Sequence, residues 1–159
     1  MPMNGLDYLN HLGQERYRTF VLHAPPHKSA ALTLFCQKLS QKVNCKYLDL
    51  LDLFIQDTSL SEHIDTFSPE ELKKLLVAQS RGVPLIVLDR GDFLLDTWRK
   101  DERQVFYRLL NNQWDGFMEG MRARLLICLQ SSPEIETLKF QDSQENSRIF
   151  QLADFNDIP

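Results

Sequence analysis

The chain has 159 residues, 43% hydrophobic and 25% charged, with a net charge of −4. That length suits one domain around one core, residues 1–159, and the composition excludes a disordered or fibrous chain. The acidic balance argues against broad electrostatic binding to nucleic acid, though it leaves room for a local basic patch.

Residues 4–17 suit a short helix, with Leu6, Leu9 and Leu12 on one side. Thr19-Phe20-Val21-Leu22 reads as a buried strand. Ala24-Pro25-Pro26-His27 reads as a loop, because two successive prolines interrupt ladder and helix alike. From Lys28 the spacing of Leu32, Phe35, Cys36 and Leu39 predicts a helix with a polar face at Gln37, Lys38 and Gln41. Lys46–Leu50 reads as a second strand, and the run from Leu50 to Ile55 either continues it or turns into a helix. Ser68-Pro69-Glu70-Glu71 is a helix start, with Ser68 as cap, Pro69 in the first turn and Glu71 completing a capping box. That helix carries Leu72, Leu75 and Leu76 and is expected to end near Gly82.

Pro84–Asp89 is apolar on both faces, as the centre of a parallel sheet requires. A helix is predicted over residues 100–118, with Val105, Phe106, Leu109, Leu110 and Trp114 on its apolar side. Arg124–Leu129 is another apolar strand, Ser132-Pro133-Glu134 starts a short helix, and Arg148–Leu152 forms a last strand. Strands and helices alternate, so the expected fold is α/β, a mostly parallel five-stranded sheet with helices on both faces in three layers. Ligands of such sheets bind past the carboxyl ends of the strands.

Two features bear on chemistry. Lys28-Ser29 stands at a helix start directly after a strand, where a phosphate-binding loop places its lysine and its magnesium-holding hydroxyl. The glycines of such a loop are absent. Counted back from Lys28 their positions fall on Leu22 and His27; alternatively the loop is two residues short and begins at Ala24-Pro25-Pro26. The backbone donors left for an anion are those of His27, Lys28, Ser29 and Ala30. The second feature is Asp89, which ends an apolar strand 61 residues after Lys28, as a magnesium-ordering Asp does in P-loop enzymes. The strand at 125–129 then ends in Gln130 and Ser131, which stand where a residue sensing a terminal phosphate would lie.

With these motifs the chain, over about residues 17–153, resembles a P-loop NTPase core of AAA+ type, and it is similar to the small P-loop proteins of BREX phage-defence systems. The resemblance implies ATP with magnesium as cofactor, phosphates on Lys28 and Mg²⁺ between Ser29 and Asp89. The departures are as informative. Asp89 is followed by Arg90 where the family has its catalytic glutamate, and no helical lid follows the last strand. The resemblance therefore implies a subunit with a degenerate nucleotide site, ATPase activity absent or weak, acting through protein partners in a larger assembly for phage defence or DNA transactions. The alternative is an ATP-binding switch or slow ATPase.

Trp98, Arg99 and Arg103 form a charged stretch around a tryptophan, either a solvated loop or a partner-binding one. Arg122 and Arg124 could join Arg99 and Arg103 in a basic patch. No sequence-specific nucleic-acid contact is expected. No Cys/His set has zinc spacing. Cys36, Cys45 and Cys128 are odd in number and widely spaced, as suits reduced thiols buried in a core. No apolar run reaches the ~18 residues of a membrane span, and the first residues lack a signal-sequence core, so a cytoplasmic address is expected.

Overall fold

The computed structural model describes residues 19–112, 123–141, 145 and 147–155. Five strands, β1 Thr19–Ala24, β2 Lys46–Asp49, β3 Leu85–Asp89, β4 Arg124–Gln130 and β5 Ile149–Gln151, form one sheet in the order β2-β3-β4-β1-β5. All its pairings are parallel. The helices are α1 Ser29–Lys42, α2 Leu50–Gln56, α3 Thr58–Glu62, α4 Pro69–Gln79, α5 Asp92–Thr97, α6 Lys100–Asn112 and α7 Pro133–Thr137.

The central strands are apolar on both faces because both faces are covered. Phe20, Leu22, Leu85, Val87, Leu126 and Cys128 pack with Leu32, Phe35, Cys36 and Leu39 of α1. Their neighbours in the strands, Val21, Ile86, Leu88, Leu125 and Ile127, pack with residues of α2 and α4 to α7. The strand order explains this division. The connection from β1 to β2 runs one way along the sheet and every later connection runs the other way, so right-handed crossovers send α1 to one face and the later helices to the opposite one. The result is a three-layer α/β fold of the expected kind.

The open stretch after β2 is helical from Leu50, because Asp49 ends the strand and its carboxylate accepts from the Asp52 amide at 3.1 Å. Ser68 caps α4 in the same way, accepting from Glu71 N. That helix stops at Gln79, short of Gly82, which sits past the turn with φ of 77°. An additional helix, α5, stands directly before the charged stretch around Trp98, and its Leu94 and Leu95 are buried. In α6 the buried stripe is Phe106, Tyr107 and Leu110, while Val105 is 44% exposed rather than on the apolar side. The predicted helix at 4–17 and the extension of α6 to residue 118, with Trp114, lie outside the described residues. No described helix is long and apolar enough to cross a membrane.

Candidate functional site

In a parallel sheet a crevice opens past the carboxyl ends of adjacent strands whose connections leave to opposite faces. Here those strands are β1, which leads to α1, and β4, which leads to α7. The loops after them are tied together: Ser131 N donates to Ala24 O at 2.8 Å, and Ser131 Oγ lies 2.7 Å from His23 Nδ1. Gln130 Nε2 donates to Ser29 Oγ at 3.2 Å. The topology thus brings the predicted helix-start residues and the predicted sensor residues together.

The loop after β1 does not have the shape of a phosphate cradle. Pro26–Lys28 form a 3₁₀ turn running into α1. Lys28 N donates to Pro25 O at 2.8 Å, and Ser29 N donates to Pro26 O. Two of the four candidate backbone donors are therefore spent inside the turn, and neither Pro25 nor Pro26 has an N–H to offer. The Ser29 hydroxyl donates to Pro26 O at 2.8 Å. Its oxygen also accepts from Gln130 Nε2, so one of the lone pairs a cation would need is already engaged.

Asp89 is equally occupied. It is 2% exposed, and Oδ2 accepts from Thr33 Oγ1 at 2.7 Å and from Tyr47 OH at 2.6 Å. Oδ1 accepts from Arg90 N at 2.9 Å. Burial, followed by the bond to Asp89, pushes the Tyr47 hydroxyl far above its ordinary value, so it remains a donor. Beside Asp89, in register on β2, stands Asp49. Arg90 neutralises it: Nε lies 3.0 and 2.9 Å from the two carboxylate oxygens, and Nη2 donates as well. To reach back to β2, Arg90 takes the left-handed region, with φ of 56°, a conformation that costs a non-glycine residue roughly 1–2 kcal/mol. Where the AAA+ pattern has its base, this chain has an arginine that ties two strands together.

A cleft of about 240 Å³ is bordered by Ser29, Thr33, Asp89, Arg90, Asp92 and Gln130, with Lys28 outside its wall. A larger cleft of about 600 Å³ shares Asp92 and Gln130 with it. Asp92 accepts from Gln130 N at 2.8 Å, and burial moves its carboxyl above the usual range. With both Asp89 oxygens already accepting hydrogen bonds and Ser29 Oγ already accepting from Gln130, this cleft does not fit a magnesium-bound triphosphate. Among the described residues no group of three or more His, Cys, Asp or Glu is placed to hold a metal ion.

The charged stretch around the tryptophan is divided. Trp98 is buried; its Nε1 donates to Phe67 O at 2.6 Å, and its ring lies 5.1 Å from Phe106. Arg103 pairs with Glu134 through two bonds of 2.8 and 2.9 Å and donates to Trp98 O at 2.6 Å. These two residues join α5, α6 and α7 and face inward. Arg99 is exposed, 3.4 Å from both Asp101 and Glu102. Arg99 and Arg103 are both matched by carboxylates, Arg124 stands at the start of β4 whereas Arg103 pairs with Glu134 past its end, and Arg122 lies outside the described residues.

Sequence reasoning did not find Thr33, Tyr47 and His23 as members of this crevice. The one local signal was a polar residue inside an apolar stripe or strand end. His23 is 3% exposed, and burial lowers its pKa against the opposing pull of Glu136 and Asp154. The unfolded chain therefore takes up a proton before the folded one does. Stability from the neutral imidazole is present above about pH 6.5 and falls as pH drops toward the lower folded value, by about 1 kcal/mol per unit of difference. In urea titrations at pH 7.5 and 5.5, His23→Gln is expected to lose less stability than the parent chain. The comparison separates the imidazole from Asp92, whose raised value acts in the opposite sense. Equal losses in the two proteins would refute this assignment.

The sequence matches no known protein-family profile and no curated protein sequence.

Proposed function

We propose that this chain is a P-loop-type scaffold subunit whose nucleotide site is closed by its own side chains, and that it works by binding protein partners in a larger assembly. The observation that carries this reading is the internal satisfaction of the Asp89 carboxylate and of two of the helix-start amides that would have to meet Mg-ATP. Lys28 N and Ser29 N bond to Pro25 O and Pro26 O. Asp89 holds Thr33, Tyr47 and the Arg90 amide. Groups already paired within the fold must break those bonds to meet a ligand, and that cost is subtracted from the binding energy. Arg90 in place of the catalytic glutamate points the same way, since it supplies no base for an attacking water. The class of assembly, phage defence or DNA transaction, rests on the sequence resemblance alone.

The test is a melting curve with and without Mg-ATP and Mg-ADP, on the parent chain and on Lys28→Ala. At a concentration 100-fold above its Kd, a ligand of the folded state stabilises by about 2.7 kcal/mol, which raises Tm by roughly 5–10 °C for a chain of this size. The expected shift is zero in both proteins. A rise of several degrees that disappears in Lys28→Ala would establish a functioning phosphate site and replace the scaffold reading with a nucleotide switch.

A further inference from the structure

We propose that Cys36 and Cys128 are a modification site, a thiol pair that a small peroxide closes to a disulfide, fixing α1 to β4. Cys36 lies on the sheet-facing side of α1 and Cys128 on the α1-facing side of β4, exposed 0% and 1% respectively. Their sulfurs are 3.2 Å apart. A disulfide needs about 2.05 Å, so the sulfurs must approach by about 1 Å. The fold brings the two sulfurs into contact, although 92 positions separate the residues in sequence.

The reaction balances with hydrogen peroxide as oxidant. One cysteine, as thiolate, attacks a peroxide oxygen; the O–O bond breaks, water leaves and a sulfenic acid remains. The second thiol attacks that sulfur, the S–O bond breaks, and the hydroxyl departs with the thiol proton as a second water. Two thiols lose two electrons, and the peroxide gains them. Burial keeps bulky disulfide oxidants from the pair, so the small neutral peroxide is the oxidant to test. It also sets the rate. Contact with the Cys36 thiol, together with burial, holds the Cys128 thiol well up, so little thiolate exists at neutral pH and closure quickens in alkali. The bond matters for the crevice because α1 also carries Thr33, one turn from Cys36, which donates to Asp89. Closing the pair fixes the distance of α1 from the sheet at the level of that contact.

Cys45 provides an internal reference, since it is half-buried and close enough to Cys36 to feel its charge. The folded chain is treated with hydrogen peroxide in mildly alkaline buffer, remaining thiols are alkylated in denaturant, and the peptides are weighed. A second sample is oxidised while unfolded in urea. The expected result in the folded sample is a Cys36–Cys128 cross-linked peptide, two hydrogens lighter and reversed by dithiothreitol, whereas the unfolded sample gives a mixture of pairings. Alkylation of both Cys36 and Cys128 after exposure that oxidises Cys45, a Cys36–Cys45 link, or the same mixture in both samples would overturn the proposal.

Discussion

Asp89→Asn is expected to destabilise the chain by about 2–4 kcal/mol, read as a lower urea midpoint with an unchanged slope. In the parent chain one carboxylate oxygen accepts two hydroxyl protons, from Thr33 and Tyr47, and the other accepts the Arg90 amide. An asparagine offers one acceptor and one donor, so either the two hydroxyls or the amide must face an N–H₂ group. A buried donor turned against a donor costs the desolvation of both. Tyr47→Phe introduced after Asp89→Asn should cost less than Tyr47→Phe alone, because the partner of the hydroxyl is already lost. The sign of the first result separates the two functional readings. Carboxylates that wait for a metal repel their neighbours in the empty protein, and neutralising one tends to stabilise it. A gain in stability on Asp89→Asn would therefore mean that the carboxylate is kept for a cation, and the scaffold reading would fall.

Arg148→Met is expected to cost more, about 3–5 kcal/mol. Arg148 is 1% exposed, and its guanidinium reaches three parts of the chain. Nε donates to Gln141 O at 2.8 Å, Nη1 to Thr19 O at 2.9 Å and Nη2 to Asn111 O at 3.1 Å. The group also stands 5.3 Å from the centre of the Phe140 ring. It thus joins the start of β1, the last turn of α6 and the segment leading into β5, and it places a cation at the negative end of α6. Methionine fills the volume but takes the donors from the buried Thr19 carbonyl and from the part-buried carbonyls of Asn111 and Gln141. Lysine is not expected to rescue the loss, because one ammonium cannot donate in three directions at once. Hydrogen exchange provides a local readout. Val21 N donates to Arg148 O, so its amide should exchange faster in the variant if β5 loosens from β1. Unchanged stability together with unchanged exchange at Val21 would show that the guanidinium does not hold this corner.

The sequence by itself determined the elements with local causes. The strands Leu85–Asp89 and Arg124–Gln130 are apolar at every inner position, which suits a sheet covered on both faces. Ser68 and Ser132 cap their helices by accepting from Glu71 N and Ile135 N, as residue type and position alone require. The alternation of elements gave the parallel α/β class, and the strand-end positions of Asp89 and Gln130 and the helix-start position of Ser29 placed them at one end of the sheet. Only the tertiary structure decided what those residues meet. Tyr47 reaches Asp89 because β2 lies beside β3, and Thr33 reaches it because α1 crosses the face above. Trp98 and Arg103 look exposed in a charged stretch, yet they turn inward because Phe67 and Glu134 wait for them in distant segments. The Cys36–Cys128 pair and the contacts of Arg148 also depend on strand order. Capping, turn chemistry and periodicity act over a few residues and leave a mark in sequence. The partner of a buried polar group is set by which strands become neighbours, and that choice is made by packing of the whole core.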